Sequence, residues 1–206
     1  MKLLNFILIN KFVKVSKTLK NYVNVGIFNL KNVAPTPFHD NGEVDYEGMG
    51  RVIDCMVDQK VEGICILANY SEQFLLSDDE REILTKLCIE HVAGKVPIIV
   101  TVSHFSTDIV FKRAKLAKDV GANMVMMMPP YHGALLKGNA DQTFEQFRKV
   151  SEAGITIMVQ DAPLSGVDLS VDLLVKMAKE IEHVKCFKKI GRAHVWTPVT
   201  PISRMP

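Results

Sequence analysis

The stretch "VPIIVTVSHFSTDIVFKRAKLAKDVGANMVMMMPP" (96–130) decides the fold class. Its two ends, VPIIVTVS (96–103) and NMVMMMPP (123–130), are unbroken apolar runs, as expected of strands buried on both faces. The middle, STDIVFKRAKLAKDVG (106–121), has apolar residues at helical spacing, opens on Ser and Thr and ends at Gly121. Two buried strands joined by a helix predict a parallel pair with a helical crossover.

The same rhythm extends in both directions. Further strand-like runs are VGIF with VAPTPF (25–38), GICILA (63–68), ITIMVQDAP (155–163) and HVKCFK (183–188). Helical segments fall between them at 45–60, 77–94, 139–154 and 170–182. The helix from 77 carries Ser77 three residues before Glu80, a capping box. Five strand-helix units and a sixth strand make an α/β domain. No G-x-G-x-x-G follows the first strand, which argues against a dinucleotide fold. Polar residues instead gather just after several strands: Asn69-Tyr70-Ser71, Ser103-His104, Tyr131-His132, Gln160-Asp161 and Lys188. A (β/α)8 TIM barrel builds its active site from those positions. A whole barrel takes roughly 250 residues, so the expectation is an incomplete one over 25–189, with about six of the eight units present.

Composition narrows the class of function. The chain has 206 residues, 48% hydrophobic and 23% charged, with a net charge of +2. The basic residues are scattered, so neither nucleic acid nor membrane is an expected partner. Four cysteines stand far apart with no C-x-x-C pair. Cys55, Cys65 and Cys186 lie in apolar runs and read as core thiols of a reducing, cytoplasmic compartment. The six histidines form no H-x-x-x-H or H-E-x-x-H pattern, so no metal is expected.

Residues 1–24 read as an extension outside the core. The apolar LLNFILIN (3–10) is too short to span a bilayer, which takes roughly 20 residues, and no small-x-small cleavage pattern follows it. After Lys189 the pattern stops: IGRAHVWTPVTPISRMP (190–206) has neither helical nor strand period. This segment resembles the translation of a sequencing adapter, and 190–206 is expected to be a non-native tail. A piece so truncated would expose two sheet edges and is expected to be inactive by itself.

Lys188 closes a buried strand. A lysine there is costly unless it is paired or has work to do. Partly desolvated, its amine becomes a nucleophile able to form a Schiff base with a ketone; alternatively it snorkels to water. Asn69, Tyr70 and Ser71 offer an amide, a phenol and a hydroxyl in a row and can hold a carboxylate in a sharp turn, or can simply cap that turn. Tyr131 can relay a proton or pack. Gln160 is an uncharged donor and acceptor, and Asp161 can cap the following turn.

With these residues in place, the chain resembles the dihydrodipicolinate synthase / N-acetylneuraminate lyase family over about Gly26–Lys188. APTPFHDNGEVDYEGM (34–49), PPYHG (129–133) and VKCFK (184–188) carry the likeness. The resemblance implies that Lys188 is the Schiff-base residue, Tyr131 a second catalytic residue, and Asn69, Tyr70, Ser71 and Gln160 substrate-binding residues. It implies no cofactor, a small 2-keto acid substrate and a homotetramer.

CILANYSEQF, VPIIVTVSHFST, MMMPPYHGALL and IMVQDAPLSGVDL are similar to a branch of the family that dehydrates 2-keto-3-deoxy-L-arabinonate to 2-oxoglutarate semialdehyde. The wider family's Gly-Thr-Thr-Gly-Glu is replaced by Ala68-Asn69-Tyr70-Ser71-Glu72, and its Tyr-Asn-x-Pro by Gln160-Asp161-Ala162-Pro163. The missing phenol implies a dehydratase rather than an aldolase. The alternatives are a pyruvate-dependent aldolase or dihydrodipicolinate synthase-like lyase, and an inactive fragment.

Overall fold

In the computed structural model the described residues are 5–9, 24–28, 33–132, 136–162, 167 and 169–189; of 5–9, 24–28, 131–132, 136–137 and 189 only the backbone is described. Residues 190–206 lie outside them, as does most of 1–24. In chain order the strands are β1 (Asn5–Ile9), β2 (Asn24–Phe28), β3 (Ile64–Ile66), β4 (Ile98–Thr101), β5 (Met124–Met127), β6 (Tyr131–His132), β7 (Leu136–Lys137), β8 (Ile157–Asp161) and β9 (Val184–Lys189). The helices are α1 (Tyr46–Asp58), α2 (Asp78–Val92), α3 (Thr107–Asp119), α4 (Ala140–Ser151) and α5 (Val171–Glu180).

The helices begin where the sequence supplies a cap. Ser77 accepts from the Glu80 N–H while Glu80 answers to the Ser77 N–H, and Asn139 and Gln142 repeat the arrangement at α4. Asp45 caps α1 and Ser170 caps α5. No helix among the described residues is long and apolar enough to cross a membrane.

Seven strands form one wholly parallel sheet in the order β2-β1-β9-β8-β5-β4-β3. Beyond β3, Val33 pairs in parallel with Cys65, so the start of the barrel proper meets the sheet there. β6 and β7 form a separate antiparallel hairpin. The architecture is the expected α/β (β/α)8 barrel, incomplete.

β3, β4, β5, β8 and β9 divide their described side chains between two apolar layers. Ile64, Ile66, Ile98, Val100, Val125, Met127, Ile157 and Val159 pack outward with residues of the helices, among them Ile53, Leu84, Val110, Phe147 and Met177. Cys65, Ile99, Met126, Met158 and Cys186 form an inner cluster with Ala68. This double burial is why the strands read as continuous rather than alternating runs.

Residues 5–9 form β1, whose backbone pairs with β9 at Ile7–Cys186 and Leu8–Phe187. An unpaired strand edge presents a row of N–H and C=O groups, and this pairing engages part of the β9 edge. One expectation changes: Cys55 is exposed, whereas Cys65, Cys88 and Cys186 are buried, and all four are free. Met49 and Ile53 hold the buried face of α1, and Cys55 turns away from it. Burial pushes the Cys88 thiol up to about 12. In the native chain a water-soluble disulfide reagent is expected to titrate Cys55 quickly, and the three buried thiols only after unfolding, as counted by absorbance with and without urea.

Candidate active site

The inner cluster rises toward the C-terminal ends of the strands, and there it becomes polar. On β9, Cys186 lies in the inner layer opposite Met158, and two residues on Lys188 lies opposite Gln160. Lys188 is half-buried and Gln160 is 1% exposed.

The inward position of Lys188 depends on an irregularity. Val184 pairs with Ile157 in the outer layer, yet Cys186 pairs with Met158 in the inner one. One extra residue, Lys185, is absorbed between these pairs as a β-bulge. Without it Val184, Cys186 and Lys188 would share one face, the outer. Lys188 also acts electrostatically on Cys65, which belongs to β3. Burial raises the Cys65 thiol; the Lys188 charge and a contact with the Thr101 hydroxyl at 3.7 Å oppose that. The lysine therefore faces the centre of the barrel.

The loop after β3 begins at Ala68, part of the inner cluster, and turns through a 3-10 helix at Asn69–Ser71. Non-glycine residues with left-handed backbones bracket it, Leu67 (φ 55°) and Glu72 (φ 55°). Leu67 is 1% exposed, so its conformation is imposed by packing. Such strain gathers at ligand-binding segments. The Ser71 hydroxyl accepts from the Ala68 N–H (3.1 Å) and donates to the Ala34 carbonyl (2.5 Å); the Thr36 hydroxyl donates to the Ser71 carbonyl (2.9 Å).

The sequence-derived site thus separates into parts. Lys188 and Gln160 are brought side by side, with the Gln160 Oε1 buried and without a partner among the described residues. Asn69 and Tyr70 are exposed on the turn. Ser71 is fully buried, and its hydroxyl is engaged at both ends in the loop. Tyr131 is on β6, opposite Lys137; its side chain lies outside the described residues. Among the described residues no three His, Cys, Asp or Glu side chains form a cluster suited to a metal.

Arg81 is a residue the sequence reading missed. It is 4% exposed, and its guanidinium donates to the carbonyls of Gln73 (2.8 Å) and Thr101 (2.6 Å), tying the loop to the end of β4. Burial, and then the charge of Arg113, pulls its pKa down to about 9, against the opposing pull of Asp78. Asp78 is held below the usual carboxylate range mainly by its hydrogen bonds from Arg113, the shorter at 2.6 Å. The signal was available, since Arg81 shares a helical face with buried Leu84, Thr85, Cys88 and Val92. Arg81, Arg113 and Asp78 also line a cavity of about 330 Å³ between α2 and α3, on the outer side of β4.

A sequence profile described as the Dihydrodipicolinate synthetase family matches residues 29–195. The chain belongs to that family. L-2-keto-3-deoxyarabonate dehydratase of Azospirillum brasilense is 53% identical over 157 residues, covering 76% of this chain and 51% of that protein. The 4-hydroxy-tetrahydrodipicolinate synthase of Bartonella bacilliformis is 29% identical over 151 residues, 72% of this chain and 50% of that one. The solved structure of a putative dihydrodipicolinate synthetase from Pseudomonas aeruginosa is similar with a TM-score of 0.73 at 33% identity, over 77% of this chain and 54% of that one. The chain spans about half the length of the curated relatives it matches.

Replacing Arg81 by Met is expected to cost about 2–4 kcal/mol, because two buried carbonyls lose a charged donor. Lysine should recover only part of this, since one ammonium cannot reproduce the fork of a guanidinium. Urea unfolding followed by circular dichroism measures both.

Proposed function

We propose that the protein is a Schiff-base-forming hydro-lyase that converts 2-keto-3-deoxy-L-arabinonate to 2-oxoglutarate semialdehyde. The observation that carries this reading is Lys188, half-buried on the inner face and in register with the buried amide of Gln160. The likeness to the Azospirillum brasilense dehydratase supports the choice of substrate.

In this mechanism the Lys188 amine attacks the C2 ketone and water leaves, giving an imine. The protonated imine draws electrons from C3. Loss of the C3 proton gives an enamine, which expels the C4 hydroxyl as water. Tautomerisation and hydrolysis of the imine release product and free lysine. The nitrogen is itself the electron sink, so the sequence of steps calls on no cofactor. Asn69 and Tyr70 hold the substrate carboxylate, and Ser71 acts through the shape of the loop. Gln160 and Tyr131 orient the imine, the leaving hydroxyl or a water. Where aldolases of the family use a phenol, the chain has Gln160, and this favours dehydration over carbon–carbon cleavage.

The activity is assigned to a protein of its relatives' length; the 206-residue chain alone is proposed to be inactive. The four free thiols support a cytoplasmic setting. Exposed Tyr70, Phe74 and Phe105, on the loops after β3 and β4, support assembly, proposed as a homotetramer.

Borohydride reduction of the full-length enzyme with its substrate is expected to add one mass adduct on the peptide containing Lys188. An active enzyme with that peptide unmodified refutes the assignment. Lys188→Arg is expected to abolish turnover, because a guanidinium does not form the imine. Incubation with the sugar acid should yield semialdehyde and no pyruvate; pyruvate in quantity would make the enzyme an aldolase.

A further inference from the structure

We infer that Gln73 is a positioning residue that decides which end of the Asn69 amide faces the substrate; this rests on the reading of Asn69 as a carboxylate ligand. Gln73 follows the strained turn and is 2% exposed, whereas Asn69 is exposed. The Gln73 Nε2 donates to the Asn69 Oδ1 at 2.5 Å. That contact occupies the acceptor end of the Asn69 amide. The end left for a ligand is Nδ2, a donor of two N–H bonds, which suits an anion. Turned over, the same side chain would present an oxygen and repel a carboxylate.

Gln73 is itself fastened in three ways. Its backbone N–H donates to the Ala68 carbonyl (3.3 Å), its carbonyl accepts from Arg81 (2.8 Å), and its side chain is packed away from solvent. Its Oε1 is buried without a hydrogen-bond partner. The buried Arg81 cation, bonded to the same residue's carbonyl, favours an oxygen over an NH2 group at that buried end of the amide. The chain of causes runs from Arg81 through Gln73 to Asn69 and so to the charge the mouth of the barrel will accept.

The test is a double-mutant cycle on the full-length enzyme, reading kcat and KM for the 2-keto acid separately. Gln73→Glu offers only acceptors, so it draws the Asn69 NH2 inward and leaves Oδ1 facing the ligand. The expected result is a KM raised about tenfold, the scale of one lost charge-assisted hydrogen bond, with kcat within about threefold. Gln73→Met, which frees the amide without reversing it, should fall between. In an Asn69→Thr background, where a hydroxyl can rotate to donate, Gln73→Glu should change KM by less than about twofold. If Gln73→Glu raises KM equally in both backgrounds, or not at all while Asn69→Ala raises it, the positioning role is wrong and the carboxylate reading stands. If Asn69→Ala leaves KM unchanged, the carboxylate reading fails and takes this inference with it. Should Gln73→Glu not fold, Gln73→Met in both backgrounds decides the same question.

Discussion

One extra residue in one strand decides which face of the sheet Lys188 occupies. Strand side chains alternate strictly, so a regular β9 that keeps Val184 against the helices would also send Lys188 there. The bulge at Lys185 reverses the alternation once. It lets the lower end of the strand serve the outer core and the upper end serve the barrel interior. The register with β8 then fixes Gln160 as the neighbour of Lys188.

Around that amine the structure arranges a graded interior. Below it lie Cys186, Met158, Met126 and Cys65, a floor of sulfur and hydrocarbon. Level with it stands the uncharged amide of Gln160. Asp161, the next residue on β8, falls on the opposite face by the same alternation. The lysine is therefore set among polarisable and neutral groups, and its charge acts on the Cys65 thiol, which burial pushes up.

Much of this was legible in the sequence, for identifiable reasons. Helix starts were visible because Ser77, Asn139 and Ser170 are good caps placed before apolar periodicity. Strands were visible because burial on both faces leaves few polar residues in their apolar runs. Lys188 and Gln160 stood out as polar residues ending apolar runs. What stayed hidden depends on distant contacts. Neither the bulge nor the pairing of β1 with β9 has a local signature. The engagement of the Ser71 hydroxyl depends on Ala34, 37 residues away. Arg81 was in plain view on the face of Leu84 and Cys88, but a lone cation on an amphipathic helix ordinarily belongs to solvent.

The turn at Asn69–Ser71 is flanked by Leu67 and Glu72, two side chains held in backbone states that glycine would adopt freely. Glycines there would let the segment sample many shapes when empty. A bulky residue forced into one shape has already surrendered that freedom during folding. On the proposed reading of this turn as a carboxylate site, an incoming acid would meet a rigid receptor and lose little entropy in organising it, so more of each contact it made would survive as affinity.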